Sequence, residues 1–174
     1  MDEPNKSIDL ALQAVSAAAW EPFGTLPGDE GTANDHSELE FLWADGAVNF
    51  ISHSNSEIAF TTSGGAVCEL LNRHDTHTQT LMPYDTDAYC VVAPRDVDFS
   101  APEHFRTVRA FLLPRYAVVH LARGTWHWGP YPLHESSIRI LNIQGRGYPQ
   151  DNGITWLARD HGVRYAVNIA AAPA

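Results

Sequence analysis

The sequence predicts an all-β protein, a sandwich or barrel of short strands, and three observations carry that expectation. Eight or more short runs rich in Val, Ile, Phe, Tyr and Thr are separated by Gly, Pro, Asn and Asp, among them AVNFIS, AVCELLN, TQTLM, AYCVVA, TVRAFLL, AVVHLA, SIRILNI and VRYAVNI. Almost no stretch carries the 3.6-residue apolar period of an amphipathic helix. Several runs alternate with period two and set polar side chains beside apolar ones on a single face. At 174 residues, with 44% apolar and 18% charged content, the chain can bury a real core. One domain over residues 1–174 is expected, with its core at about 8–169.

Taken in order, Ile8 to Val15 is expected as a strand, and Ser16 as the N-cap of a short helix in AAAWEPF that Gly24 ends. Pro102 to Phe105 and Asn152 to Leu157 are expected to hold helical turns among the strands. In CELLNRH, alternation groups Cys68, Leu70, Asn72 and His74 on one face, expected to look inward. In HTQTL it groups His77, Gln79 and Leu81, and in VVHLA it groups Val118, His120 and Ala122. An inward Asn, His or Gln without a partner costs roughly 1–3 kcal/mol. A polar barrel interior therefore points to a bound ligand.

Net charge is −10 and no two Lys or Arg residues are adjacent, which argues against a nucleic-acid partner. No apolar run approaches the ~18 residues of a membrane span. The opening MDEPNKSIDL is acidic and polar, unlike a signal peptide, so a cytoplasmic location is expected. Cys68 and Cys90 lie in apolar surroundings without a C-x-x-C spacing and are expected as buried free thiols. There is no G-x-S-x-G, P-loop or dinucleotide fingerprint.

Three phrases together resemble the ureidoglycolate lyase family, a branch of the cupin superfamily: WEPFG (20–24), ELLNRHDTHTQTLMP (69–83), and VRAFLL (108–113) with ARGTWHW (122–128). The resemblance implies a cupin-type double-stranded β-helix, the jelly-roll barrel, often dimeric, with its site inside the barrel mouth. Overlaying the cupin ligand spacing puts Asn72 and His74 at the first two histidine positions, Gln79 at the glutamate and His127 at the final histidine. Asn72 replaces a usual carboxylate, Ala122 and Trp128 stand where further histidines would fall, and HSELEFLWADG lacks the family's Asn- and Arg-containing phrase.

By this resemblance the chain is a carbon–nitrogen lyase of allantoin and purine catabolism, cleaving ureidoglycolate to glyoxylate and urea. His127 is expected as the base, and His74 as proton donor or metal ligand. A divalent metal of the nickel or zinc class, weakly held if present, would rest on His74, His127 and Gln79. Arg123 and Arg109 are the candidate anchors for an anionic small-molecule substrate, because guanidinium matches carboxylate in two parallel bonds. Asn72, Gln79, His120, Tyr89, Trp126 and Trp128 complete the candidate pocket. Each of these aromatics and single histidines also suits ordinary packing. A lyase, isomerase or hydrolase for another small hydroxy- or keto-acid, or a binding barrel without catalysis, remains a rival reading.

Overall fold

The computed structural model describes residues 6–33 and 35–173. The acidic lead at residues 1–5 and both ends of the expected single domain lie outside them. The strands are β1 (Lys6–Ala14), β2 (Gly24–Thr25), β3 (Gly46–Ser54), β4 (Ala59–Phe60), β5 (Ala66–Cys68), β6 (Leu71–Arg73) and β7 (Gln79–Pro83). After them come β8 (Ala88–Ala93), β9 (Arg109–Leu113), β10 (Val119–Leu121), β11 (Trp126–Pro132), β12 (Ser137–Gly145), β13 (Gly153–Thr155) and β14 (Val163–Asn168). Two short helices, α1 (Ala17–Trp20) and α2 (Leu157–His161), and three 3₁₀ turns complete the described chain.

The strands form two sheets, one in the order β13-β6-β11-β8-β9-β1-β14-β5-β4 and one in the order β2-β10-β7-β12-β3. This is the all-β, cupin-like architecture. Alternation explains how the sheets pack. Ala88, Cys90 and Val92 of β8 face the second sheet and meet Leu81, Val119, Leu121, Ile138 and Ile140 across the barrel. Tyr89, Val91 and Ala93 point the other way, into a second core with Leu71, Trp128, Leu157 and Tyr165. β8 is buried on both faces, which is why AYCVVA is a continuous apolar run. Both cysteines are buried free thiols, and burial pushes Cys90 up to about 12.

Ser16 caps α1 as its residue type demands, its Oγ accepting from Ala19 N–H. The helix stops at Trp20, before Gly24, which instead opens β2. A Cβ on Gly24 would collide with the His120 carbonyl oxygen, so glycine is required there for β2 to lie on β10. The turn expected at Asn152 to Leu157 is strand β13, because Ile154 and Thr155 pair with Asn72 and Leu71; the helix starts later, at Leu157. Cys68 and Asn72 do not share one continuous strand. β5 pairs with β14 while β6 pairs with β11 and β13, so Cys68 joins the second core and only the residues from Leu70 onward reach the barrel mouth.

Candidate active site

The inner face of the barrel changes from apolar to polar along its strands. On β7, Leu81 gives way to Gln79; on β12, Ile138 and Ile140 give way to Asn142 and Gln144. Opposite them, β11 contributes His127, in register with Asn72 of β6. The result is a cavity of about 390 Å³ lined by Asn72, His74, Gln79, His127, Trp128 and Gln144, together with His53, Glu57, Tyr131 and Tyr148.

The phrases that carried the resemblance meet here. The Phe23 carbonyl accepts from Ala122 N–H and from the Thr125 hydroxyl, and Trp20 Nε1 donates to the His120 carbonyl. Gly124, at a φ of +78°, lets the turn reverse and donates its N–H to the His74 carbonyl at 2.7 Å. The N-terminal helix and the turn at 122–125 thus set His127 beside His74, with ring centroids 5.2 Å apart.

Three histidines share one arrangement. Nδ1 of His127 lies 3.1 Å from the Thr125 carbonyl, that of His74 3.2 Å from the Asp151 carbonyl, and that of His77 3.0 Å from the Thr78 carbonyl. A carbonyl only accepts, so each Nδ1 carries a proton, and in its neutral form each ring keeps a bare lone pair at Nε2. Burial drives His127 down to about 4, helped by the neighbouring His74, against a smaller upward pull from the Thr125 carbonyl. Burial and the nearby His77 lower His74 as well. Both are neutral at pH 7.

His77 stacks on His74 with centroids 4.5 Å apart and the planes inclined by 23°. Its Nε2 is buried without a partner, as is Oε1 of Gln79, whose amide nitrogen donates to Asn142 Oδ1 and Gln144 Oε1. His74, His77 and Asp151 each present a ligand atom within 4.8 Å of the others. Asp151 is braced by the amide and hydroxyl of Thr76, both at 2.6 Å. Burial pushes its carboxyl up, but these bonds outweigh burial and hold it below the ordinary value. Two imidazoles and one carboxylate form a donor set that suits a divalent metal, and the partnerless His77 nitrogen is the observation that favours one. This group differs from the expected set of His74, His127 and Gln79: it keeps His74 and takes its other ligand atoms from His77 and from Asp151 in the loop after β12.

Of the expected pocket residues, Asn72, His74, Gln79, His127 and Trp128 line one cavity. Five others do not. Arg123 is held by Glu40, Nε to Oε2 at 2.6 Å, and by the Asp75 carbonyl, pinning the loop before β3 against the turn. Arg109 shares the inner face by alternation, but it is the first, exposed residue of β9, and its guanidinium turns back to the carbonyls of Arg106 and Val108. His120 lies on the outer face of β10, because Val119 and Leu121 take the inner one, and it bonds Thr80 Oγ1 at 2.8 Å. Tyr89 is sealed in the second core, and Trp126 packs outside the barrel under Arg73 and against Phe99. No Lys or Arg lines the cavity among the described residues. The alternation of β11 breaks between Trp128 and Tyr131, where a register shift bends the strand and brings both aromatics to the cavity wall.

Sequence reasoning missed Asp151, His53 and Glu57 and gave His77 no firm role. His77 shares its strand face with Gln79, which was the available signal. Asp151 belongs to a loop with no local pattern.

A rolled two-sheet barrel with imidazoles, amides and a candidate metal cluster at its polar end is the mark of a cupin-type enzyme. Sequence comparison narrows the class: the ureidoglycolate lyase family model matches residues 7–163, and the chain belongs to that family. Its activity is accordingly that of a ureidoglycolate lyase-like enzyme. No match was found among curated proteins.

Proposed function

We propose that the barrel-mouth cavity cleaves the C–N bond of ureidoglycolate, releasing glyoxylate and urea in allantoin and purine catabolism, with His127 as general base. The observation that carries this reading is the convergence of Asn72, His74, Gln79 and His127 on one cavity in a chain of this family. His127 offers an unprotonated Nε2, fixed in that tautomer by the Thr125 carbonyl, to take the hydroxyl proton of the substrate. As the C–O double bond forms, the C–N pair leaves with the urea nitrogen.

Asn72 and Gln144, whose amide oxygens are engaged by Asn152 and Gln79, keep their NH₂ groups for the substrate carboxylate. Gln79 Oε1 is free to accept from the substrate or to ligate. A divalent cation of the nickel or zinc class, held by His74, His77 and Asp151, would add positive charge beside a cavity whose walls carry none, His74 being the ligand that lines it. Trp128 and Tyr131, with centroids 4.5 Å apart, wall the cavity and limit solvent around the breaking bond.

The test is glyoxylate release by His127→Gln and His74→Gln. His127→Gln is expected to lower kcat by about 10²-fold or more, the usual scale for acid–base groups, and His74→Gln to lower it through the lost metal ligand, with the fold intact by circular dichroism. Full activity in both variants discards the assignment. Ala122 and Trp128, standing where family histidines would fall, favour a different small hydroxy-acid as the second reading. A substrate panel separates the two.

A further inference from the structure

Ureidoglycolate cleavage, as read above, needs two proton movements. One proton leaves the hydroxyl, and another must reach the departing nitrogen, because an anionic urea is a poor leaving group. His127 and His74 cannot supply the second from Nε2. Their Nδ1 protons face the Thr125 and Asp151 carbonyls, which leaves Nε2 bare. Burial also pushes Tyr131 up to about 12, which makes it a reluctant donor.

The cavity is lined by a third histidine, of different character. His53 sits on β3, on the wall that carries Asn49 and Ile51. Its Nδ1 lies 3.2 Å from Oε2 of Glu57, one turn further along the chain, and its ring rests against Tyr131 with centroids 5.1 Å apart. Glu57 is the only carboxylate among the described cavity-lining residues. It does not swing freely, because its Oε1 accepts the Ser54 N–H at 2.9 Å, closing a capping box around the 3₁₀ turn Asn55–Glu57. A histidine whose Nδ1 is held by a fixed carboxylate has its ring orientation set and its Nε2 turned to other use. The titratable groups against His53 are Glu57 and Tyr131, while β12 presents Ile138 at its register position.

We propose that His53, oriented by Glu57, is the general acid that protonates the departing urea nitrogen. The assignment rests on the lyase reading above. The step balances: His127 Nε2 takes the hydroxyl proton, the O–H pair becomes the second bond of the glyoxylate C=O, and the C–N pair moves to nitrogen. That nitrogen takes the Nε2 proton of His53 in its imidazolium form, whose Nδ1–H stays on the Glu57 carboxylate; His53 ends neutral and His127 ends as the imidazolium, and solvent exchange resets both rings.

The experiment compares His53→Gln, Glu57→Gln and His127→Gln on ureidoglycolate and on its N′-(4-nitrophenyl) derivative, whose departing nitrogen is less basic. His53→Gln is expected to lose about 10²-fold in kcat on ureidoglycolate, the usual scale for a general acid, and only several-fold on the aryl derivative. Glu57→Gln leaves the imidazole in place but loosens its orientation, and should show a smaller loss in kcat that again is greater on ureidoglycolate than on the aryl derivative. This keeps the test alive if His53→Gln folds poorly. Equal losses on both substrates, or full activity of His53→Gln on ureidoglycolate, overturn the proposal. An undiminished His127→Gln would instead overturn the lyase reading on which it stands, so the two failures are distinguishable.

Discussion

At the scale of single residues, the site depends on what surrounds each imidazole rather than on how many there are. Gly145 ends β12 beside His77, and a Cβ there would come within 2.9–3.1 Å of three His77 atoms. Its backbone is not in the left-handed region, so the requirement is purely one of space. Gly145→Ala should therefore displace His77, costing about 1–3 kcal/mol by overpacking and weakening metal binding more than Gly147→Ala, whose added Cβ meets nothing closer than 3.8 Å. Thermal unfolding and metal titration of the two variants check this. Asp151→Asn should likewise reduce bound metal, measured by elemental analysis after dialysis, because it removes the one negative ligand of the cluster. His127 gives the pH dependence. Its folded-state value of about 4 lies below the ordinary 6.5, so between those values the unfolded chain binds more protons. The metal-free protein should be fully stable above about pH 6.5 and lose up to roughly 3 kcal/mol from this group as pH falls toward 4. A melting temperature that stays flat across that window would contradict the burial assigned to His127.

At the scale of elements, α1 is only four residues long, yet it places Trp20 under the His120 carbonyl and Phe23 under the turn that carries His127. Ser16→Ala removes its cap and should cost about 1 kcal/mol, with a measurable loss of activity if that turn loosens. Much at this scale was legible in the sequence. Period-two alternation put Gln79 on the face of Leu81, and the same rule put Asn72 and His74 together at the mouth. It failed where a second physical fact intervened. Alternation does not say which face is inner, so His120 went to the wrong side. Nor does it see strand ends, and Arg109 therefore left the barrel although its parity was right. Asp151 was invisible because a loop ligand is fixed by where the chain returns, here through its bonds to Thr76.

At the scale of the whole molecule, the larger sheet runs past the barrel into β1, β14, β5 and β4, and side chains of β1, β14 and β5 help build the second core. That core carries Tyr89 and Val91 behind the cavity wall, so the β11 side of the cavity is backed by packed protein rather than solvent. The β11 bulge puts Trp128 on that wall, and ligand entry should therefore change tryptophan emission. Trp128→Phe should abolish most of the change while leaving the melting temperature within a few degrees, because the ring replacement keeps most of the apolar contact. Among the described residues no helix is long and apolar enough to cross a membrane.

The arginine-free, lysine-free mouth has a kinetic consequence. The chain carries ten more negative than positive charges, so an anion approaching the barrel climbs a repulsive potential with no local cationic funnel to offset it. Added salt, which shortens the reach of that field, should speed capture instead of slowing it, the reverse of an arginine-gated pocket.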